Sequence, residues 1–577
     1  MDVTQAAPTQ PSESRAEAPM LEPPPGLAEL AFGCLTETLE PPAALVEALS
    51  GTDPVYVALR AQGHRVGEAW GDAASQAHGL VAAVRQAAGG VDVEAVDAIE
   101  VCLTHGWRPV GLTPNERRAL AANIHRGVRG FALRCGEARE LISPTRTIAS
   151  NRAHHKVLDK FFADWHLREA DLAAGKATAE VFEGWQLLLT RNEQGVHARP
   201  LFRGKRVVEQ REVSRTFVQE QERALGDFLC RSVQPDGRML YMVYPSLEKE
   251  DRKRNNMIRQ WMATVALSRT ARFRNDQTIF DLAEKNIRYN LRKFYHASGK
   301  LGLIEYERKV KLGAVALAVL SLLEHPKRSM FKKHEQRLWN TIDYLWDDTG
   351  AFRTFFKPFG RNDVQNFYPG EALLAWAFLY EETRDEQLLD RFMKSMRYYR
   401  QWHREQRNPA FIPWHAQAYY KVHRLTGEPE LAEFIFEMSD WLLAMAQWHH
   451  NTRHADALGR FHDPAHPEYG PPHASATGVY LEGLIDAFEL ARRLGDDERR
   501  ERYRLAIVRG LRSVEQLTLR DEVDMFYLSP EARALVHGGV RTTVYDNIVR
   551  IDNVQHNQMA ILKILEIFED DDFLRGE

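Results

Sequence analysis

The chain has 577 residues, of which 44% are apolar and 27% carry a charge, and its formal net charge is −4. A chain of this length is too long for one hydrophobic core and predicts two or three domains. A charge so close to balance gives no electrostatic reason to expect a nucleic acid or an anionic membrane as a partner. The four cysteines form no CxxC pair, which is typical of a reducing compartment, so we expect a cytoplasmic location.

Residues 1–26 are rich in proline, alanine, glutamate and serine. They lack the basic start and the apolar stretch of a secretory signal, and we interpret them as a disordered tail. The longest apolar run, from Ala314 to Leu323, is too short to cross a bilayer. The sequence therefore predicts no membrane span.

Residues 27–205 combine the patterns of strands and helices. Strand-like stretches occur at 55–59, 65–71, 98–103 and 130–134, and a helical stretch occurs at 78–88. Strands that are interleaved with helices predict an α/β or α+β domain. We interpret this segment as an accessory domain that is able to dock a protein partner.

The order of these elements resembles the AMMECR-like family. The resemblance depends on the first strand, on the turn with Gly63 before the second strand, and on the later strand that begins with Arg129. In place of that family's cysteine-bearing turn this chain has Glu68-Ala69-Trp70. Because that turn is missing, the resemblance implies no activity for this chain.

From residue 206 to residue 577 the apolar residues recur at helical spacing. The pattern predicts twelve helices, which pair into six hairpins. They lie at 209–232, 255–272, 277–297, 311–325, 331–347, 369–383, 386–404, 413–426, 429–449, 474–494, 496–517 and 553–568.

The links between these helices alternate in length. The link between one hairpin and the next is short, as at 274–276, whereas the link inside a hairpin is long and carries aromatic, glycine and charged residues, as at 299–306. In a closed helical barrel short links gather at one end and long links at the other, where they can build a site. The sequence therefore predicts a mainly α protein with a C-terminal (α/α)6 toroid. An open helical solenoid is the alternative, although it has no need for such a regular asymmetry.

The helices that follow the long links begin with polar and aromatic residues. In a closed ring these are the inner helices, and their amino ends face the long links. A helix amino end has free N–H groups and a partial positive charge, which suit a carboxylate or a ligand rich in hydroxyl groups. Sugars bind where aromatic faces meet polar side chains. The candidate substrate-binding residues from this pattern are Tyr241, Glu305, Tyr306, Trp414, His415 and His473.

Residues 538–557 form the densest polar segment, which we interpret as a loop that enters the last helix. Arg541, Arg550 and Asp552 are further candidates for substrate binding. Asp552 also fits the N-cap of a capping box with Gln555, so it is a candidate helix cap as well as a site residue.

The end of the chain resembles the C-terminal module of glucuronyl 5-epimerases. The matching residues are Arg550-Ile551-Asp552, followed by His556 and Gln558, and upstream Tyr368-Pro369-Gly370-Glu371 before an alanine-rich helix. The likeness extends from about residue 235 onward and includes other (α/α)6 sugar-active enzymes. It implies a carbohydrate ligand and supports the toroid more than it supports a particular reaction.

The reaction that fits these residues is a uronate 5-epimerase-like proton transfer on a polysaccharide or oligosaccharide. Such a reaction needs a base, an acid on the opposite face and cations that hold the developing enolate. Arginine can hold a carboxylate through two hydrogen bonds, and the reaction needs no metal and no cofactor. The candidate catalytic residues are Tyr368, Glu371, Tyr545, Asp546 and His556.

Two alternatives stay open at this point. Glycoside hydrolysis needs two carboxylates across the scissile bond, and the sequence offers several without singling out a pair by spacing. A ring that binds a glycan or a protein without catalysis is the other alternative, since a fold does not imply an activity. The histidines between 449 and 466 form no HExxH motif, so we interpret them as surface residues and expect no metal site.

Overall fold

The computed structural model describes residues 22–120, 123–448 and 454–574, so most of the predicted tail at 1–26 lies outside the described residues, as do His449 and His450. The chain folds into two compact units. The first contains the described residues up to Leu59, 67–103 and 185–201, and the second contains 60–66, 104–184 and the described residues from 202 onward. The division into domains at residue 205 stays a prediction.

Helices and strands alternate in the first 206 residues, as the sequence predicts. The helices are α1 (Leu27–Gly33), α2 (Ala43–Ala48), α3 (Gln76–Ala88), α4 (Pro114–Ala119), α5 (Pro144–Ala149), α6 (His154–Asp164) and α7 (Glu169–Ala173). The strands are β1 (Val55–Ala61), β2 (His64–Gly71), β3 (Ala98–Val110), β4 (Arg129–Cys135), β5 (Ala138–Ile142), β6 (Ala177–Asn192), β7 (Gly195–Phe202) and β8 (Lys205–Arg206).

Each unit has its own apolar core in this part of the chain. In the first unit, β1 places Val55 and Val57 in one cluster with Leu80 and Val84 of α3. In the second unit, β4 pairs antiparallel with β5 and with the first half of β6, and this sheet packs on α6. Strand β1 and the middle of β4 are continuously buried, as expected of short apolar strands that lie within a core.

The remainder of the second unit is mainly helical. The helices are α8 (Arg215–Arg231), α9 (Met257–Arg274), α10 (Gln277–Phe294), α11 (Leu312–Leu323), α12 (Lys332–Leu345), α13 (Tyr368–Thr383), α14 (Glu386–Glu405), α15 (Ile412–Thr426), α16 (Pro429–Leu443), α17 (Ala474–Leu494), α18 (Asp497–Leu517), α19 (Pro530–Val536), α20 (Ile551–Ile567) and α21 (Asp570–Leu574). The strands are β9 (Met242–Tyr244), β10 (Lys249–Asp251), β11 (Tyr295–Ser298), β12 (Leu301–Tyr306), β13 (Lys309–Lys311), β14 (Phe355–Lys357), β15 (Arg541–Thr543) and β16 (Asp546–Arg550).

The helices close into a ring. Along the described chain α9, α11, α13, α15, α17 and α20 pack in that order, each on the next, and α20 returns to pack on α9. The helices α8, α10, α12, α14, α16 and α18 lie outside, each against an inner helix. The (α/α)6 toroid is therefore confirmed, and the open solenoid is excluded because its first and last helices would not meet.

The inner and outer helices differ in composition because their surroundings differ. An inner helix has neighbours on several sides, and in α11 every residue from Leu312 to Leu322 is buried. An outer helix such as α14 buries one face and exposes charged residues on the other. Among the described residues, no helix is both long and apolar enough to span a bilayer.

Strands join the long links at the mouth of the ring. Strand β16 pairs with both β15 and β9, and β9 pairs with β10, so the first and last links form one sheet across the ring closure. Strands β11 to β14 form a second sheet from two neighbouring links. The interpretation of 538–550 as a loop is wrong, because Thr542, Thr543 and Val549 are β-branched and lie in a hairpin.

Small residues let the inner helices approach closely. Gly478 of α17 faces Asn557 of α20, and a Cβ there would lie 2.7 Å from the backbone nitrogen of Asn557. Gly370 of α13 similarly faces Trp414 and His415 of α15. The distance between neighbouring inner helices thus depends on glycines at a few contact positions.

We expect Gly478→Ala to lower the free energy of unfolding by about 1–3 kcal/mol, the usual cost of overpacking a core. The added methyl group meets backbone, which cannot turn aside, so α17 and α20 must separate. Denaturant titration of the full chain measures the change.

Gly510→Ala is the matched control, since Gly510 lies in α18 and also faces α17. There the nearest atom is Cδ2 of the flexible Leu481 side chain, at 2.7 Å. We expect Gly510→Ala to lower the free energy of unfolding less than Gly478→Ala does. An equal or larger decrease would contradict close backbone packing at the α17–α20 contact.

Candidate functional site

The amino ends of the inner helices meet at the mouth of the ring. They do so because each inner helix follows an outer helix that runs in the opposite direction, so all inner helices run the same way. Each amino end adds a partial positive charge to the mouth. The chemically active side chains at these ends are Arg259 of α9, Lys311 before α11, Tyr368 and Glu371 of α13, Trp414 of α15, His473 before α17, and Arg550, Asp552 and His556 at α20.

Asp552 is the ionised carboxylate of the mouth. It is fully buried, and its Oδ1 accepts a hydrogen bond of 3.0 Å from Nε of Arg550, while its Oδ2 accepts from Nη2 of Arg550. Nη2 of Arg259 lies 3.1 Å from the same Oδ2 and forms an ion pair with it. Burial alone would raise the pKa of Asp552, but the two guanidinium groups hold it below its usual value. Asp552 therefore links α20 to α9 and stays negatively charged.

The capping-box interpretation of Asp552 is wrong. The N-cap of α20 is Arg550, and no side chain caps it, so Asp552 lies inside the first turn. Gln555, the expected partner in the box, instead donates from Nε2 to the backbone carbonyl of Arg259 at 2.9 Å. Both residues therefore face α9 rather than the backbone of their own helix.

Glu371 is the second carboxyl group at the mouth, and its environment is the opposite of that of Asp552. Its side chain is buried, and Oε2 makes no hydrogen bond to any residue that the structure describes. Burial raises the pKa of Glu371 to about 7, although the positive charges of Arg259 and Lys311 oppose the rise. A carboxyl with a pKa near neutrality is suited to take up and release protons under ordinary conditions.

Gly313 of α11 provides the space for this carboxyl group. A Cβ at Gly313 would lie 2.0 Å from Oε2 of Glu371 and 2.4 Å from Cδ1 of Tyr368. Burial and the charge of Glu371 raise the pKa of the Tyr368 hydroxyl. Tyr368 and Glu371 therefore pack together against α11, and Tyr368 keeps its proton.

Lys311 precedes α11 and is half-buried. Burial lowers its pKa, and the neighbouring cations Lys309, Arg361 and Arg259 lower it further, whereas Glu371 acts in the opposite direction. The mouth is consequently rich in positive charge close to a carboxyl group that makes no ion pair of its own.

His556 forms a dyad with Glu482 of α17. Its Nδ1 donates to Oε1 of Glu482 at 2.8 Å, and Glu482 is fully buried. The ring of Trp414 meets the imidazole edge to face, with 6.2 Å between the centroids. A carboxylate on Nδ1 fixes the tautomer and leaves Nε2 as the atom able to exchange a proton.

Residues from the N-terminal part of the second unit reach the β15–β16 hairpin. Nδ2 of Asn151 donates to Oδ1 of Asp546 at 2.9 Å, and Nη1 of Arg126 donates to the backbone carbonyl of Tyr545 at 2.8 Å. The charge of Asp546 also acts on Arg550 and His473 at the mouth. The hairpin thus lies between the mouth and the segment 123–151.

Two further predicted site residues lie near the mouth. Tyr241 lies within electrostatic reach of Arg550, and the backbone nitrogen of Ile551 donates to its carbonyl at 3.0 Å. His473 is near Arg550 and Asp552, and its buried Nδ1 bonds to no described residue. Both residues therefore belong with the mouth cluster.

Arg541 and His415 have structural environments. Arg541 is fully buried, and its Nη2 donates to the backbone carbonyl of Gln516 at 2.6 Å. Nδ1 of His415 donates to the carbonyl of Phe411 at 2.8 Å, the two rings stack at 3.6 Å, and burial lowers the pKa of His415 to about 3. We therefore leave both residues out of the proposed site.

Glu305 and Tyr306 lie on β12 at the rim. Oε2 of Glu305 accepts from Nζ of Lys357 at 2.8 Å, so it is already paired. Tyr306 meets Phe294 edge to face at 5.5 Å. Their contact with a ligand stays a prediction.

Sequence reasoning assigned no role to Arg259, Lys311 or Glu482. Arg259 and Glu482 lie inside long apolar helices, where a charged residue looks like an ordinary exposed position. The available signal was the position of each charge on the buried side of its helix, since a buried charge is rare unless it is paired. Among the residues that the structure describes, no group of histidine, cysteine, aspartate or glutamate is arranged to hold a metal ion.

No family model and no curated protein matches this chain. Among solved structures, an uncharacterized protein from Pyrococcus horikoshii is 16% identical and covers 30% of this chain and 95% of its own, with a TM-score of 0.26. An α-1,6-mannanase from Salegentibacter sp. is 13% identical over 61% of this chain and 100% of its own, with a TM-score of 0.43. A sugar epimerase from a ruminal bacterium is 12% identical over 62% and 99%, with a TM-score of 0.44.

Two of these structures are named as proteins that act on sugars, but all three identities and TM-scores are too low to carry an argument about this chain. The toroid itself follows from the packing of the helices. The specific resemblances to glucuronyl 5-epimerases and to the AMMECR-like family are not confirmed.

We expect Glu371→Gln to raise the free energy of unfolding at pH 8 by about 3 kcal/mol relative to the unchanged chain, and to change it little at pH 4. The folded pKa of Glu371 is about 7, above the unfolded value of about 4.3. Below about pH 4.3 the carboxyl group is protonated in both the folded and the unfolded chain and does not change the free energy of unfolding. As the pH rises from about 4.3 to 7 it lowers that free energy increasingly, and above about pH 7 the loss is complete. Denaturant titrations at several pH values measure this difference.

Glu324→Gln is the control with the opposite sign. Glu324 is also buried, but Nη2 of Arg269 lies 2.7 Å from its Oε1, and the arginines hold its pKa below the usual value. The ionised Glu324 carboxylate therefore raises the free energy of unfolding at pH values above its unfolded pKa. This contribution is lost as the pH falls through its lower folded pKa. A Glu371→Gln effect that does not vary with pH would contradict the raised pKa.

Proposed function

We propose that the mouth of the toroid is the active site of a carbohydrate-active enzyme that epimerises a uronate residue of an oligosaccharide or polysaccharide. The observation that carries the proposal is Glu371, a buried carboxyl with a pKa of about 7 and an oxygen that bonds to no described residue. Such a group is a suitable base for a carbon-bound proton beside a carboxylate.

An epimerase needs proton transfer on both faces of one carbon atom. Glu371 lies on α13 and His556 on α20, and these helices face each other across the ring because two inner helices separate them on either side. In the proposed reaction Glu371 removes the proton, and the electron pair moves into the adjacent carboxylate to give an enolate. His556, held by Glu482, delivers a proton to the opposite face.

The enolate needs positive charge close to its oxygens. Lys311, Arg259 and Arg550 provide it, and about a quarter of the Arg259 and Arg550 side-chain surface stays exposed beside Asp552. Cations that are fixed before the substrate arrives stabilise developing charge without reorganisation. Asp552 is the group that fixes the two arginines.

The same geometry disfavours glycoside hydrolysis. That reaction needs two carboxyl groups that both reach the sugar, one as acid and one as base or nucleophile. Asp552 has both oxygens engaged by arginines and is fully buried, and Glu482 is fully buried behind His556. Neither Asp552 nor Glu482 is therefore suited to act as the partner carboxylate of Glu371.

Exposed aromatic rings at the mouth are suited to hold the sugar. Phe367 precedes α13 and is 38% exposed, and Phe359, in the same link, is 86% exposed. Flat apolar rings in contact with water are the usual platforms for a sugar face. Phe367 directly precedes α13, the helix of Glu371, and Phe359 lies earlier in the same link.

Incubation with uronate oligosaccharides in D2O tests the proposal. We expect deuterium at a carbon-bound position of the uronate, detected by mass spectrometry, with the glycosidic bonds intact. In Glu371→Gln the rate falls by about 100-fold to 10,000-fold, the usual contribution of a general base. Since the base must be ionised, kcat/KM of the unchanged chain falls as the pH drops below about 7.

The matched control is Glu381→Gln, which removes an exposed carboxylate from the same helix, where it accepts from Nζ of Lys421. That variant keeps its full rate. Chain cleavage without deuterium uptake would identify a hydrolase instead, and binding without either reaction would identify a non-catalytic glycan-binding ring.

A further inference from the structure

A second cluster of positive charge lies beside the mouth, around Tyr545. Arg126, Arg203 and Arg460 are each more than nine-tenths buried. The Tyr545 hydroxyl acts electrostatically on all three guanidinium groups. Tyr545 itself is half-buried, so the cluster borders the accessible surface of the β15–β16 hairpin.

Each arginine of this cluster has a buried nitrogen without a hydrogen bond to the described residues. These atoms are Nε of Arg126, Nη2 of Arg203 and Nη1 of Arg460. Other atoms of the same side chains fix their positions, since Nη1 of Arg126 donates to Oδ1 of Asn151 at 2.7 Å and Nε of Arg460 donates to Oε1 of Gln447 at 2.7 Å. Buried donors of this kind are rare in a finished fold.

The carboxylates nearby do not balance these charges. Nε of Arg203 lies 2.9 Å from Oδ2 of Asp456, and Asp546 acts on Arg126. These two carboxylates face the three arginines and also the buried Arg541, whose charge acts on Arg203. Burial lowers the pKa of each of the three arginines. A buried excess of positive charge is costly unless an anion joins it.

Arg512 shows what a purely structural buried arginine looks like in this fold. Its Nε, Nη1 and Nη2 donate to the backbone carbonyls of Val208, Leu458 and Ala455 at 2.6–2.8 Å. Every nitrogen of that guanidinium is satisfied by the chain itself. The contrast indicates that the unsatisfied nitrogens around Tyr545 are suited to a ligand.

The cluster is continuous with the mouth through Asp546. The Asp546 carboxylate acts on Arg126 on one side and on Arg550 and His473 on the other. Tyr545 and Asp546 are adjacent on the hairpin, so a ligand that extends from the mouth along the hairpin reaches the cluster.

We propose that Arg126, Arg203, Arg460 and Tyr545 form a subsite for a second anionic group of an acidic glycan whose reacting uronate lies at the mouth. This subsite rests on the proposed function, because it assigns the same ligand a further point of recognition. An oxyanion such as a carboxylate or sulfate accepts hydrogen bonds from several guanidinium groups at once. The subsite therefore selects glycans with charge on more than one sugar.

Binding of trigalacturonate and of cellotriose to the full chain tests the subsite, because cellotriose is a trisaccharide of the same length without charge. We expect trigalacturonate to raise the Tm and to bind at least tenfold more tightly than cellotriose. In Arg460→Gln this advantage falls by about tenfold or more, whereas cellotriose binding is unchanged, as expected for a lost charged hydrogen bond. Inorganic phosphate, tested at matched ionic strength, binds more weakly than trigalacturonate.

Arg512→Gln is the matched control and keeps the preference for trigalacturonate. Without ligand, Arg460→Gln keeps its Tm, because an uncompensated buried charge is removed, whereas Arg512→Gln lowers it. An Arg460→Gln chain that retains the full preference, or phosphate that binds as tightly as trigalacturonate, would overturn the subsite. These experiments measure binding, whereas deuterium uptake measures the proposed reaction. A failure of the subsite can therefore be distinguished from a failure of the proposed reaction.

Discussion

The closure of the helical ring is the constraint on which the rest of the structure depends. Helix α20 is last among the ring helices in sequence, yet it must pack on α17 and on α9 at the same time. Three kinds of interaction cross this seam: the close approach of Gly478 to Asn557, the pairing of β16 with β9, and the ion pair between Arg259 and Asp552. Only when the seam is closed do the amino ends of the inner helices share one mouth.

Two carboxyl groups at that mouth show how environment assigns chemical roles. Asp552 lies between two guanidinium groups and stays ionised, whereas Glu371 is buried without an ion pair and has a pKa of about 7. Pairs of acids whose pKa values are pushed apart in this way are typical of sites that combine charge stabilisation with proton transfer. The ring imposes the difference, because α20 brings Asp552 to Arg259 while α13 places Glu371 over Gly313.

The helices of the ring could be predicted from sequence because each one has a clear apolar period and the links alternate in length. The predicted helix at 474–494, for example, matches α17 at both ends. The site could be predicted only in part. Glu371, Asp552 and His556 stand at helix starts that the sequence marks, but Arg259 and Glu482 become visible only when α9, α17 and α20 are packed together. The burial of Arg541 and its hydrogen bond to the backbone carbonyl of Gln516 could not be predicted, because charge density in a segment does not show which side chains turn inward.

A double-mutant cycle across the seam tests the central claim most directly. The free energy of unfolding is measured for the unchanged chain, for Arg259→Gln, for Asp552→Asn and for the double variant, and the coupling energy is the departure from additivity. The account predicts a favourable coupling of about 1–3 kcal/mol between Arg259 and Asp552, as expected for groups that share a buried ion pair. Additive effects of the two substitutions would contradict the account, because they would mean that α9 and α20 do not meet at a common mouth.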